Sequence, residues 1–275
     1  MELREPKPRV VFRDKAGDYL TVAEAAALPK EKKEEVRRTP VPASFYLTTR
    51  YGSPLAYVRV LDLAAQNGLR DLHGKRVLDF GFGTIGHLQL MARAGAEVHG
   101  IEVDSLLKAL YSEPGDVGKM GDGAVRLHFG FFPTDARMAS EVGGGYDLIT
   151  AKNTLKRGYI HPERPAPKEQ LIDLGVDDAA FLKEIYSRLR PGGLFVVYNL
   201  SPMPAPLDKP YVPWADGRFP FDRKVADQAG FEVLAWDKDD LPWAQKMGRA
   251  LGWDKTGMDV EKNLQAEATI LRRKR

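Results

Sequence analysis

The chain has 275 residues, of which 43% are hydrophobic and 29% charged, and 41 basic against 38 acidic side chains leave a formal charge of +3. This composition is typical of a globular protein, and the near balance of charge argues against a nucleic-acid partner. The absence of cysteine excludes disulfides, thiolate metal sites and cysteine nucleophiles. The histidines form no close pair such as H-x-x-x-H, so we expect no metal site.

No apolar run approaches the roughly 20 residues that cross a bilayer, and the first residues lack the apolar core of a signal peptide. We therefore expect a cytoplasmic protein without a membrane partner. The sequence gives no indication of the oligomeric state.

Residues 1–70 are predicted to form an N-terminal extension that ends in a cap helix. Two β-like runs, 9–13 and 19–22, flank a turn sequence and predict a hairpin. The charge run 30–38 is typical of a solvated helix face or a linker. Ser53 is a suitable N-cap for a helix whose apolar residues follow at helical spacing.

Residues 71–275 are predicted to form the main domain, because strand-like and helix-like segments alternate there. The predicted strands are 76–80, 97–103, 125–129, 146–151, 194–200, 231–236 and 265–271. The predicted helices are 86–94, 105–111, 135–142, 177–189 and 222–229. Such alternation predicts an α/β fold, with a Rossmann-like, mostly parallel seven-stranded sheet and helices on both faces.

A glycine-rich turn follows the first strand of this domain. It contains Gly81 and Gly83, and Gly86 opens the helix beyond it. Glycines allow the backbone to approach a ligand closely, next to a helix N-terminus that favours polar ligand groups. The second strand ends in Glu102, at the position where an acidic side chain commonly holds the hydroxyls of a ribose. The pattern predicts a ligand that contains a nucleoside.

Two kinds of nucleoside ligand fit the glycines. Gly81, Gly83 and Gly86 match G-x-G-x-x-G, the dinucleotide pattern, which has little specificity alone. Asp79 precedes the first glycine by two residues, and its charge would repel a pyrophosphate but attract an amino group and a sulfonium. We therefore favour an amino-acid-bearing nucleoside, and a nicotinamide-dependent oxidoreductase remains an alternative.

These residues resemble the motifs of the class I S-adenosylmethionine-dependent methyltransferases. The first family motif, an acid and G-x-G after a strand, is matched by Asp79, Gly81 and Gly83, and the second, an acid closing the next strand, by Glu102. Residues 146–155 resemble a later acidic-aromatic signature, and the family's usual third glycine is replaced by Ile85. The resemblance covers residues 70–275 and implies S-adenosyl-L-methionine as the cofactor of a methyltransferase.

The resemblance also implies which residues contact the cofactor. Phe131 or Phe132 is expected against the adenine, with a core position as the alternative, because residues 130–135 stand where the family often places an adenine-contacting acid. The expected cofactor-binding residues are Asp79, Gly81, Phe82, Gly83, Glu102, Val103, Phe131, Phe132 and Asn153.

The methyl acceptor should approach over the carboxyl ends of the strands, where open α/β sheets bind ligands. Methyl transfer mainly requires alignment of donor and acceptor, and sometimes removal of a proton. His161 is the first catalytic candidate because histidine titrates near neutral pH, and Tyr159 and Lys156 follow it; a structural hydrogen bond is the alternative for His161. The expected substrate-binding residues are Tyr46, Arg50, Tyr51, Tyr211 and Trp214.

A small-molecule acceptor, methylated on oxygen or nitrogen rather than carbon, is the preferred hypothesis. The loop after residue 151 lacks the N/D-P-P-Y/F motif of amino-group DNA methyltransferases and the acidic metal set of catechol-type enzymes. The alternatives left open are a methyltransferase for RNA or protein and a non-catalytic module that binds S-adenosylmethionine.

Overall fold

The structure, a computed structural model, describes residues 7–43, 45 and 58–275. The predicted substrate-binding residues Tyr46, Arg50 and Tyr51 lie outside the described residues, and so does Ser53, the predicted start of the cap helix. The described part of that helix is α3 (Val58–Gln66).

A three-stranded antiparallel sheet forms the N-terminal part of the structure. Its strands are β1 (Arg9–Arg13), β2 (Tyr19–Leu20) and β3 (Arg37–Val41), in the order β2-β1-β3. The predicted hairpin is therefore present. The charge run differs from the prediction: it begins in the short helix α2 (Lys30–Lys33) but ends in β3. Charged residues and a proline suit an edge strand, which leaves one side unpaired.

Ion pairs attach this small sheet to the main domain. The guanidinium of Arg9 donates to both carboxylate oxygens of Asp116, at 2.6 and 2.7 Å. Glu24, in helix α1 (Val22–Ala27), accepts from Lys108 at 2.6 Å. Both partners belong to or follow α5 (Ser105–Leu110), so the small sheet lies beside that helix.

An eight-stranded sheet forms the centre of the main domain, in the order β10-β11-β9-β8-β4-β5-β7-β6. Its strands are β4 (Arg76–Phe80), β5 (Glu97–Glu102), β6 (Gly118–Met120), β7 (Gly123–Phe129), β8 (Tyr146–Lys152), β9 (Leu189–Ser201), β10 (Phe231–Asp239) and β11 (Gln265–Arg273). The neighbours from β7 to β9 are parallel, whereas β11 runs antiparallel to both of its neighbours.

The predicted mostly parallel sheet is confirmed, but the predicted number of strands was wrong by one. The additional strand β6 pairs antiparallel with β7 over three residues. Three residues are too few for a period-two hydrophobic pattern, so the sequence did not indicate this strand.

Helices cover both faces of the sheet. The remaining helices are α4 (Gly86–Arg93), α6 (Ala136–Val142), α7 (Arg157–Ile160), α8 (Asp178–Arg188), α9 (Arg223–Gln228) and α10 (Leu241–Ala250). Alternate strand residues enter two separate core clusters: Val77 packs with the cluster that includes α4 and α10, and Leu78 with the one that includes α6 and α8. No helix in the described ranges is long and apolar enough to span a membrane.

The connections of β4 and β8 leave the sheet in opposite directions. From β4 the chain continues to β5 and β7 on one side, and from β8 it continues to β9 on the other. In open α/β sheets a crevice forms at the carboxyl ends of two such strands, and ligands bind there. All seven residues of β8 are buried, as expected for a central strand covered on both faces.

Candidate functional site

A cavity of about 1000 Å³ opens at this crevice, which is at the upper end of the range for small-molecule sites. Its lining comes from the segments that follow β4, β5, β7 and β8, together with residues 169–174. The predicted site residues that line it are Gly81, Phe82, Gly83, Glu102, Val103, Phe131, Phe132, Asn153, Lys156, Tyr159 and Trp214.

The turn after β4 depends on two glycines with positive φ, +70° at Gly81 and +59° at Gly83. A Cβ atom at Gly81 would lie 2.4 Å from Oγ1 of Thr154, so a larger residue would force Thr154 to move. A Cβ atom at Gly83 would meet no heavy atom within 4 Å. Since Gly83 also lines the cavity, its backbone faces open space that a ligand can occupy.

The carboxylate of Glu102 lies beside this turn and is held by backbone donors. The N–H of Gly83 donates to Oε2 at 3.2 Å, and the N–H of Val103 donates to Oε1 at 2.9 Å. Burial raises the pKa of Glu102, while these two hydrogen bonds act in the opposite direction. A carboxylate oriented in this way can still accept hydrogen bonds from a diol, since each oxygen has a second acceptor site.

Asp79 does not line the cavity, because its carboxylate is fully buried beneath the turn. Oδ1 accepts a hydrogen bond from Oγ1 of Thr150 at 2.6 Å, and Oδ2 lies 2.5 Å from Nε2 of His87. Asp79 therefore joins the strand pair β4–β8 to α4. Its charge can act on cavity groups through the electric field, without a contact to the ligand.

The two phenylalanines after β7 differ in environment. Phe131 is 66% exposed, so its ring is available to a ligand at the cavity. Phe132 is 4% exposed, and its ring packs edge-on against Phe80 with centroids 6.4 Å apart. Phe132 thus belongs to the core while one part of it lines the cavity. Phe82 is similarly buried against Phe129 and Tyr111.

Asn153, which follows β8, adopts a φ of +61°, a conformation unusual for a residue other than glycine. Its Oδ1 accepts from the N–H of Leu200 at 2.7 Å, and its own N–H donates to Oδ1 of Asn199 at 3.1 Å. Asn199 in turn donates to the carbonyl oxygens of Leu155 and Gly217, each at 2.8 Å. This pair of asparagines ties together the ends of β8 and β9. Asn199 was not predicted.

The amino group of Lys156 is used in three hydrogen bonds. It donates to the carbonyl oxygens of Leu200 and Trp214, at 2.8 and 3.0 Å, and to Oγ of Ser201 at 3.2 Å. Burial lowers the pKa of Lys156 to about 7, against the attraction of Glu267. Lys156 thus fastens the segment that carries Trp214 to the end of β9.

Tyr159 lies next to Lys156, whose Nζ is 5.9 Å from the centroid of the Tyr159 ring. Burial raises the pKa of Tyr159, so its hydroxyl stays protonated at neutral pH. Its ring lines the cavity, as does that of Trp214, which is 45% exposed. These two aromatic rings form part of an apolar wall.

The structure does not bring His161 or Tyr211 to the cavity lining. Nε2 of His161 lies 2.9 Å from Oδ1 of Asp178, at the N-terminus of α8, which fits the alternative of a structural hydrogen bond. The hydroxyl of Tyr211 donates to Asp216 at 3.4 Å, and its ring lies under the guanidinium of Arg164.

Lys152 is the main cavity residue that the sequence reasoning missed. It is the last residue of β8, it lines the cavity, and it is only 5% exposed. Burial lowers the pKa of Lys152 to about 7, and repulsion by Lys156 acts in the same direction, whereas Asp79 attracts its charge. The available signal was a lysine that ends an apolar strand, a position where a buried charge needs a reason.

The described residues contain no group of three or more histidine, aspartate or glutamate side chains placed to hold a metal ion. The chemistry of the cavity therefore has to be argued from its turn, its carboxylate, its two lysines and its aromatic walls.

No protein-family model matches the chain, and no curated protein matches it significantly. Among solved structures the chain is similar to the (4+2)-cyclase SpnF, with 21% identity over 80% of this chain and 82% of that one, and a TM-score of 0.45. It is also similar to an S-adenosylmethionine-dependent methyltransferase from Mesorhizobium loti, with 16% identity over 82% and 100% and a TM-score of 0.43.

A third similar structure is magnesium protoporphyrin IX methyltransferase from Synechocystis PCC 6803 with bound SAH, with 16% identity, 80% and 83% coverage and a TM-score of 0.41. At these values the likeness concerns the general arrangement of sheet and helices.

Proposed function

We propose that the chain is an S-adenosylmethionine-dependent methyltransferase that acts on a small-molecule acceptor. The observation that carries the proposal is the carboxylate of Glu102, which the backbone N–H of Gly83 holds beside an open glycine turn. A fixed carboxylate next to a turn without side chains suits a nucleoside that carries a further polar group.

The cavity residues fit the separate parts of this donor. The oxygens of Glu102 would accept hydrogen bonds from the two ribose hydroxyls, which are favourable because the acceptor is charged. The exposed ring of Phe131 and the side chain of Ile101 offer apolar contact to an adenine. Gly81 and Gly83 leave room for the amino-acid part, close to the field of the buried Asp79.

The charges of the cavity favour a small acceptor over a nucleic acid. Exposed Glu169 and Asp173 lie on one wall, and both would repel a polyphosphate backbone. The cations Lys152 and Lys156 are buried inside instead of forming a basic track on the surface. Tyr159 and Trp214 add aromatic walls of the kind that small-molecule sites present.

The donor supplies an already activated methyl group, so the chain's own contribution is to bind, align and shield. The turn and Glu102 would fix one end of the donor, and the aromatic walls would orient the acceptor opposite it. Lys156 would hold the wall that carries Trp214 in place. No universal catalytic residue is required for such a transfer.

Titration calorimetry with S-adenosylmethionine, S-adenosylhomocysteine and NADH tests this function. We expect micromolar binding of the first two ligands, and a loss of affinity on the order of 10- to 100-fold in Glu102→Ala, since hydrogen bonds to a charged group are lost. Glu31→Ala, in the exposed part of α2, is the matched control and should bind normally. Binding of NADH in place of the two methionine derivatives would refute the proposal and favour an oxidoreductase.

A further inference from the structure

We propose that Lys152 is the base that accepts a proton from the methyl acceptor, and that this acceptor is a phenol. The inference rests on the proposed methyltransferase function and extends it by naming a catalytic residue and a substrate class.

The position of Lys152 in the sheet places it between the two halves of the cavity. Its strand β8 lies between β4, which leads into the glycine turn, and β9, which leads towards Trp214. Thr150, two residues earlier on the same face of β8, contacts Asp79 beneath the turn. Lys152 is one step nearer to the carboxyl edge, so its side chain enters the cavity where a donor on the turn and an acceptor beside Trp214 would meet.

The other titratable groups that line the cavity, among the residues described, are poorly suited to this task. Glu102 is engaged by backbone donors next to the turn. Lys156 uses its amino group in three hydrogen bonds. Glu169 and Asp173 are exposed to water, and Asp104 caps α5 through the N–H of Leu106.

The surroundings of Lys152 favour its neutral amine more than those of an ordinary lysine. Burial and the neighbouring Lys156 lower the pKa of Lys152 to about 7, so a large fraction is unprotonated at neutral pH. The opposing charge is Asp79 on β4, and its carboxylate is shared with His87 of α4. On β9 the residue opposite Lys152 is the uncharged Tyr198.

The charges beyond Lys156 act on Lys152 only indirectly. Glu267 and Asp216 attract the charge of Lys156 and so help to keep it protonated, which maintains its repulsion of Lys152. Lys152 thus combines a position inside the cavity with a basicity near neutrality, and general bases work best under that condition.

A phenol fits this arrangement better than other acceptors. A protonated amine would be repelled by two buried lysines, and a carboxylic acid would enter already ionised and would not need a base. An aliphatic alcohol is far too weak an acid for an amine of this basicity. A phenol has a pKa near 10, as in tyrosine, and its ring suits the aromatic side chains of Tyr159 and Trp214.

The proposed step conserves atoms and electrons. The neutral amine of Lys152 takes the phenolic proton, and the oxygen lone pair forms the new O–C bond to the methyl group. The bond between that methyl group and the donor sulfur breaks, its electron pair stays on sulfur, and the ammonium of Lys152 then releases its proton to water. Proton transfer to a positioned base typically contributes about 10²- to 10⁴-fold to the rate.

The test uses 4-nitrophenol, whose anion absorbs visible light, with the full-length protein saturated with S-adenosylhomocysteine. At a pH about one unit below the pKa of the free probe, we expect the wild-type protein to bind it as the anion, paired with the ammonium of Lys152. Lys152→Met and Lys152→Gln should bind no anion. Lys183→Met, on the exposed face of α8, is the control and should behave as the wild type.

Two further measurements separate the possible outcomes. Methyl transfer to the probe should fall on the order of 10²- to 10⁴-fold in both Lys152 variants. Donor binding by calorimetry should remain within about twofold of the wild type. Anion binding by both Lys152 variants, or a large loss of their donor affinity, would overturn the role of Lys152. Donor binding by the wild type without anion binding would overturn the phenol class and leave the proposed function intact, whereas absent donor binding would end both.

Discussion

Oδ2 of Asp79 lies 2.5 Å from Nε2 of His87, and neither side chain is exposed to solvent. Thr150 donates to the other carboxylate oxygen at 2.6 Å, so three side chains from β4, α4 and β8 share one buried polar network. Networks of this kind stabilise a unique arrangement only while every member is satisfied. The acid that resembles the first family motif thus supports the turn from beneath it.

We predict that Asp79→Asn destabilises the protein by about 1–3 kcal/mol, because the amide cannot accept from Thr150 and pair with His87 as the carboxylate does. Donor affinity should fall less than in Glu102→Ala, since Asp79 does not line the cavity. Urea unfolding and calorimetry on both variants measure the two effects. An Asp79→Asn variant of normal stability that no longer binds the donor would contradict this assignment and place Asp79 in contact with the ligand.

The two glycines of the turn give a matched pair of substitutions. Gly81→Ala should cost more than about 2 kcal/mol, because it combines a positive φ with a clash against Thr154. Gly83→Ala should cost only about 1 kcal/mol, since its Cβ would point into open space, but it should reduce donor affinity by filling the cavity. Unfolding and binding measured together separate the two glycines; equal losses of stability would show that the contact with Thr154 is unimportant.

The lowered pKa of Lys152 has a consequence for stability. The unfolded chain binds more protons than the folded chain between about pH 7 and the ordinary pKa of 10.5, so the free energy of unfolding should rise with pH in this window. Lys152→Met should raise the melting temperature at neutral pH and reduce this slope, while removing methyl transfer. Thermal melts at about pH 7 and pH 9 measure both, and a variant with a lower melting temperature at neutral pH would contradict the cost of burying this lysine.

Glu267 predicts the opposite slope at lower pH. Burial raises the pKa of Glu267 to about 7, so the folded chain binds more protons than the unfolded one between pH 4.5 and about 7. Its contribution to stability is therefore lost as pH rises through this window. Glu267→Gln should flatten the profile there and leave the region above pH 7 nearly unchanged; urea unfolding across the window measures this, and an unchanged slope would contradict it.

Lys156→Met should loosen the wall that carries Trp214. The substitution leaves the carbonyl oxygens of Leu200 and Trp214 without their donor, and buried acceptors that lose a partner cost about 1–3 kcal/mol each. We expect faster proteolysis within residues 202–216 and weaker acceptor binding, with donor binding retained. Limited proteolysis followed by mass spectrometry locates the cleavage, and cleavage at the wild-type rate would argue against this fastening role.

The sequence predicted the central strands well because their hydrophobic runs are bounded by clear turn and capping residues. Strand β4 coincides with the predicted range, and the helices α4 and α8 differ from theirs by one residue at an end. Two elements were missed for local reasons. Strand β6 is too short to show a period, and α10 contains Pro242 next to its first residue, a position that helices tolerate but that also suits a turn.

The donor side of the site was easier to predict than the acceptor side. Gly81, Gly83 and Glu102 are close in sequence to the strands that position them, so their spacing alone brought them together. Lys152, Asn199 and the wall at residues 169–174 meet only through the packing of β8, β9 and distant loops. His161 shows the same limit, because its partner Asp178 is 17 residues away and draws it to α8.

A crystal structure with bound S-adenosylhomocysteine tests the central proposal most directly. We expect the ribose hydroxyls to donate to Glu102, the amino-acid part to lie over Gly81 and Gly83, and the sulfur to face Lys152. The same ligand bound elsewhere, or in the cavity with no contact to Glu102, would contradict the assignment of this site as the place from which a methyl group is transferred.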